Sequence, residues 1–182
     1  SARGRARNVP QSVSASRGSC VIVGRGRAGR SFAGALASAG WSVELVPARP
    51  LVERSLLRES GTESDVSGTA EAIAESIAQA DLVMIAVPDA AIADTALAVG
   101  ATTAVIVHIS GATGLDVLAG HARVGSIHPL MSLPDADTGA RRLADRCTFA
   151  VDGDPFAFDV VASLGGLAVE VPETKRALYH AA

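Results

Sequence analysis

Gly24, Gly26 and Gly29 carry the most specific chemical signal in this chain of 182 residues. They stand in the run Gly24-Arg-Gly-Arg-Ala-Gly29, after the apolar stretch 20–23 and before a helix-forming segment. In that setting each glycine has its own job. Gly24 permits a tight turn, Gly26 lets the backbone approach a pyrophosphate, and Gly29 lets helix and strand pack closely. Ala28 completes the loop. The helix start behind it offers unpaired N–H groups and the positive end of the helix dipole to phosphates. Arg25 and Arg27 lie within the loop and are candidates for further phosphate contacts; the alternative for each is an Arg exposed to solvent.

The second strand, expected over 41–46, should end in an acid if the ribose 2′-hydroxyl of NAD is held there, about 20 residues past the glycines. Glu44 falls within the strand, too early, and Val46-Pro-Ala-Arg49 occupies its end. Arg49 at that place suits a 2′-phosphate, so the pattern favours NADP over NAD. S-adenosylmethionine fits less well, because its enzymes usually want an acid at the same strand end.

Further candidates follow later strands. Ala86, Val87 and Pro88 close the apolar run 82–87 and are expected to form a small wall beside the cofactor, at the carboxyl edge of the sheet where ligands bind. Pro88 and Asp89 read equally well as a strand stop and a helix cap. Ser110 and His128 follow the next two strands, and a parallel sheet turns both towards one crevice. A histidine titrates near neutral pH and can exchange a proton with a substrate. The Ser110 hydroxyl can bond a substrate oxygen, or simply cap a turn. His108 ranks below both, and His121 is expected to face solvent from a surface loop. No G-x-S-x-G elbow surrounds Ser110, which argues against a hydrolase. Cys20 and Cys147 are far apart without ligand spacing, so neither a metal site nor a disulfide framework is expected.

The elements that must position these residues alternate. Strands are expected at 20–23, 41–46, 82–87, 104–109, 124–127, 148–151 and 168–171. Helices are expected at 27–39, near 51–58, and at 69–80, 90–99, 115–119 and 156–164, with a Gly/Ser/Asp-rich loop before residue 68. Continuous apolar strands joined by crossover helices predict an α/β fold with a doubly wound, mostly parallel sheet. Apolar residues make up 48% of the chain and charged residues 19%, enough for a sizeable core. The Arg-rich, aperiodic segment 1–18 reads as a disordered tail, 19–172 as one dinucleotide-binding domain, and 173–182 as the start of a further helix. The net charge of −3 argues against a nucleic-acid partner. No run is apolar and long enough to span a bilayer and no secretory leader is visible, so a cytoplasmic protein without membrane attachment is expected.

With these motifs in place, the chain resembles the Rossmann-like proteins that carry a C-terminal helical domain of unknown function, relatives of the 6-phosphogluconate dehydrogenase-like group. That group includes β-hydroxyacid dehydrogenases, ketopantoate reductase, pyrroline-5-carboxylate reductase and prephenate dehydrogenase. The resemblance rests on GRGRAG, IAVPDAAI, VIVHISGATGLDVL, SIHPLMSLPD and the closing ETKRALYHAA, and covers about residues 19–182. It implies a Rossmann fold truncated at the start of the helical domain. Gly24, Gly26 and Gly29 match the pyrophosphate loop, and Ala86, Val87 and Pro88 the nicotinamide side. Ser110 and His128 are similar in placement to the Ser and His of prephenate dehydrogenases. Lys175 is similar in placement to the acid/base lysine of β-hydroxyacid dehydrogenases, but Tyr179 stands where those enzymes have Asn. The missing domain implies a homodimer and most of the substrate pocket. The function expected is an NADP-dependent oxidoreductase of a small carbonyl or hydroxy acid. The alternatives are a non-catalytic NADP(H)-binding sensor or regulatory module and a reductase that pairs NADP with a deazaflavin.

Overall fold

Short apolar runs rich in Val and Ile pair into one sheet, whose central strands bury both of their faces. In the computed structural model, which describes residues 17–60 and 68–171, these are β1 (Ser19–Val23), β2 (Ser42–Val46), β3 (Leu82–Ile85), β4 (Val105–His108), β5 (Val124–Pro129), β6 (Thr148–Gly153) and β7 (Leu167–Glu170). Their order is β2-β1-β3-β4-β5-β6-β7. Every neighbouring pair is parallel except β5 and β6, where Pro129 faces Phe149.

Alternation along the strands divides the core in two. Cys20, Ile22, Met84 and Val107 face one side, where they meet Phe32 and Leu36 of α1 (Arg27–Ser38), Leu143 of α5 (Ala136–Ala144) and Val160 of α6 (Pro155–Ser163). Val21, Val23, Ile85 and Ile106 face the other, against Leu51 of α2 (Arg49–Glu59), Ile73 and Ile77 of α3 (Gly68–Ala78) and Ile92 of α4 (Ile92–Val99). Helices cover both faces, as a doubly wound sheet requires.

The differences from expectation are local. Helix α2 starts at Arg49, two residues before the expected 51, with Pro50 in its first turn, a place that suits a residue without an N–H. The segment before α4 is a single 3-10 turn at Asp89–Ala91, and Leu115–Leu118 is likewise 3-10 rather than α-helical. Helix α5 was not expected. Asp135 starts it by accepting a hydrogen bond from the Thr138 N–H, and Gly139 presses against α1, where a Cβ would lie 2.0 Å from Ser31 Oγ. Two expectations lie wholly or largely outside the described residues: the tail 1–18 and the helix start 173–182. The same holds for most of the loop before residue 68. Among the described residues, no helix is long and apolar enough to cross a membrane.

Candidate functional site

β1 and β3 are neighbours, yet the chain leaves β1 outward for β2 and returns to β3 on the other side. Their carboxyl ends therefore frame the point where the winding reverses, the place where open α/β sheets bind ligands. The loop Gly24–Gly29 and the Ala86-Val87-Pro88 turn meet there. The Ala86 N–H donates to the Val23 carbonyl at 2.8 Å, and the Gly24 N–H donates to the Val46 carbonyl at 2.9 Å.

The three glycines differ in what surrounds them. Gly24 has φ +125°, and a Cβ on it would lie 2.2 Å from the Ala86 carbonyl oxygen. A Cβ on Gly29 would lie 2.0 Å from the Gly24 carbonyl oxygen. Both contacts are with backbone, so no side chain fits at either position. Around Gly26 nothing lies within 4 Å of the Cβ position. It borders an open cleft of about 300 Å³, lined also by Arg27, Ala28, the 86–88 turn, Ile109 and Leu133. Gly26 caps α1 without any side-chain hydrogen bond, and the first turn of α1 holds no acid. A tight strand-to-helix turn, bare backbone at its middle glycine and an uncapped helix start fit a pyrophosphate group.

Arg27 lines this cleft, Arg25 precedes Gly26 in the loop, and Arg49 stands at the start of α2. Arg25 is exposed and donates from Nε to the Leu45 carbonyl at 3.3 Å, while its own carbonyl accepts from Arg30 Nε at 2.9 Å. Arg27 is exposed at the start of α1. Arg49 starts α2, where its Nε lies 2.6 Å from Glu53 Oε1, one turn on. The Glu53 carboxylate raises the Arg49 guanidinium above its ordinary value by hydrogen bond and charge.

On the inner side, β4 and β5 bring His128 to the segment after His108. His128 Nδ1 lies 2.9 Å from the Ile109 carbonyl oxygen. A carbonyl only accepts, so Nδ1 carries the proton, and in the neutral ring the lone pair resides on Nε2. The ring rests on Gly111, whose Cβ position is 2.7 Å from Nε2 and Cδ2. Ser110 is buried, and its hydroxyl oxygen folds the loop, accepting from the Ala112 and Thr113 N–H groups at 3.1 Å. Thr113 Oγ1 stands 2.9 Å from the same oxygen. His108 is buried, with Nε2 3.1 Å from the Gly114 carbonyl oxygen. His121 is half-buried rather than facing solvent. Its Nε2 lies 2.9 Å from the Ala96 carbonyl oxygen, in the last turn of α4 where helix carbonyls lack intrahelical partners.

Lys175, the remaining candidate, lies outside the described residues, as does Tyr179. Ile109, Leu133 and Gly111 were not singled out from sequence. A glycine directly after Ser110 was the available signal for Gly111; nothing local marked the other two.

The family model described as "Rossmann-like domain" matches residues 5–134. No curated protein matches the sequence. Among solved structures, the chain is similar to a prephenate dehydrogenase from A. aeolicus, in complex with hydroxyphenyl propionate and NAD+, at 16% identity and a TM-score of 0.62. That match covers 91% of this chain and 63% of the dehydrogenase. A 1-pyrroline-5-carboxylate reductase from Streptococcus pyogenes matches at 15% identity and a TM-score of 0.61, over 90% of this chain and 62% of the reductase. A pyrroline carboxylate reductase from Plasmodium falciparum with NADP bound matches at 13% and 0.57, over 87% and 59%. The chain thus spans less than two thirds of the length of these proteins.

Proposed function

Because the chain belongs to the Rossmann-like domain family, we propose that it is the nucleotide-binding part of an NADP-dependent oxidoreductase acting on a small carbonyl or hydroxy acid. One observation carries this reading. At the switch point of the sheet, Gly24 and Gly29 have backbone where a Cβ would stand, while Gly26 opens onto the cleft. A turn built only for packing has no need of the bare middle glycine. The NAD+ and NADP held by two of the similar structures support a pyridine dinucleotide.

In this reading the N–H groups at the start of α1 and the backbone at Gly26 hold the pyrophosphate. Arg27 adds a contact to the pyrophosphate, and Arg25 and Arg49 contact a 2′-phosphate at the end of β2. Ala86, Val87 and Pro88 form the wall on the nicotinamide side, and Ile109 and Leu133 exclude water from the inner end. When bound, the dinucleotide supplies or accepts hydride. His128, fixed by Ile109 through Nδ1, exchanges a proton at Nε2, and Lys175 is the second acid/base group. Ser110 holds the loop that fixes His128, or bonds the substrate oxygen once the loop opens.

The domain division belongs to the same proposal: a tail over 1–18, the nucleotide domain over 19–172, and the entry at 173–182 to a helical domain that completes the pocket and forms a homodimer. So does a cytoplasmic setting with no membrane or nucleic-acid partner. Calorimetric titration of NADPH, NADH and S-adenosylmethionine against this chain tests the core of it. NADPH is expected to bind most tightly; absence of binding by both pyridine nucleotides overturns the proposal. With the helical domain present, His128→Ala and Lys175→Ala are each expected to lower carbonyl turnover, and unchanged rates in both remove the acid/base assignment.

A further inference from the structure

We infer that Arg25, within the glycine loop, is the residue that does most to select a 2′-phosphorylated ribose, an assignment that rests on the dinucleotide reading above. Three observations converge on it. The end of β2 offers no side-chain oxygen to a ribose hydroxyl: Val46 is buried, and Pro47 and Ala48 follow. The acid of that strand, Glu44, lines a separate cleft with Ser42, Ser76 and Gln79. Recognition at this corner therefore falls to cations.

Of the two arginines there, Arg49 already has a partner. Its guanidinium lies 2.6 Å from the Glu53 carboxylate, and a phosphate must compete with that charge. No carboxylate among the described residues forms an ion pair with Arg25. Its Nε–H is spent on the Leu45 carbonyl, which fastens the side chain to the end of β2. A guanidinium has five N–H donors, so one anchored through Nε keeps its two Nη groups for a planar, bidentate contact with phosphate. Arg30 fixes the backbone beneath it by donating to the Arg25 carbonyl, and adds a second positive charge. Anchoring of the Arg25 side chain on the Leu45 carbonyl lowers the entropic cost of ordering it when the anion arrives.

The test is titration of NADPH, NADH, 2′,5′-ADP and 5′-ADP against the chain and its Arg25→Ala and Arg49→Ala variants. Arg25→Ala is expected to weaken NADPH and 2′,5′-ADP about ten- to a hundredfold, the loss of one or two charge-assisted hydrogen bonds. NADH and 5′-ADP should change less than about threefold, which also shows that the variant is folded. Arg49→Ala should weaken the 2′-phosphorylated ligands less than Arg25→Ala does. Equal loss of NADPH and NADH in Arg25→Ala makes Arg25 a general phosphate contact and overturns the assignment. A larger effect from Arg49→Ala, or preference of the unaltered chain for NADH, overturns it as well. If the unaltered chain binds none of the four, the dinucleotide reading itself fails, and the assignment fails with it.

Discussion

The imidazole of His128 rests on the backbone of Gly111: a methyl at that glycine would stand 2.7 Å from both Nε2 and Cδ2. On its other edge the same ring bonds the Ile109 carbonyl through Nδ1 at 2.9 Å. Two residues from the end of β4 therefore fix the orientation and tautomer of a side chain on β5. Gly111→Ala is expected to push the ring off Ile109, at a cost of about 1–3 kcal/mol for overpacking a buried position. Long-range ¹H–¹⁵N correlation of the histidine ring checks this. The Nδ1–H form should dominate in the unaltered chain at high pH and lose its dominance in the variant.

Gly29 and Gly26 separate folding from binding within one motif. A Cβ at Gly29 meets the Gly24 carbonyl at 2.0 Å, and neither backbone segment can swing aside. Gly29→Ala should destabilise by about 3 kcal/mol or more, with loss of nucleotide binding as a consequence. Gly26→Ala meets nothing within 4 Å and should leave the melting temperature nearly unchanged. Its methyl enters the space given to the pyrophosphate, so NADPH affinity should fall about tenfold or more. Thermal melts and calorimetry on the two variants distinguish these outcomes. Unchanged NADPH affinity in Gly26→Ala would remove the pyrophosphate from this loop.

The strands were legible because most of the central ones are buried on both faces and read as unbroken apolar runs: Leu82 to Ile85 and Val105 to Val107 are fully buried. The glycine loop was legible because each of its constraints acts over a few residues. Helix α5 was not, since it meets α1 through small residues: Gly139 lies against Ser31, and Ala140 lies 2.9 Å from the Cβ position of Gly34. Such close packing needs no wide apolar stripe, and only the Asp135 cap marked the start. The partner of His128 was hidden for a different reason. Ile109 is 19 residues away, and the two meet only because β4 pairs with β5 in the register that sets His108 beside Ser126.

Both cysteines should be inert in the folded chain. Burial raises the Cys20 thiol far above its ordinary range and pushes Cys147 up to about 11. The thiolate is the reactive form, so at pH 8 almost none is present at either site. Labelling with a thiol reagent such as iodoacetamide should be negligible in buffer and complete in denaturant. The rate in buffer should follow the opening of the core around Cys20 and Phe149. Rapid native labelling of one site would show that its strand opens locally.

Acid should weaken the fold through three carboxylates, and the sign follows from their partners. The Ser19 N–H and hydroxyl hold Asp81 below its ordinary value, the Thr138 N–H does so for Asp135, and the Arg123 guanidinium for Asp154. Ser19 and Asp81 join the starts of β1 and β3, with the Ser19 N–H donating to Asp81 Oδ2 at 2.8 Å. Arg123 forks onto Asp154 at 2.9 and 3.0 Å, and Asp154 also caps α6. Each carboxyl titrates lower in the folded chain than unfolded, where Asp is near 3.9. The stabilisation is therefore complete above that value and lost as pH falls through the folded values. The melting temperature should be insensitive to these groups from pH 7 to about 5 and drop below about 4. Asp154→Asn should lower it modestly at neutral pH, because the Arg123 side chain of the pair is about half exposed, and should make the acid decline shallower. Melts of both chains across pH 3 to 7 measure this, and parallel curves would mean that Asp154 contributes nothing to the acid limb.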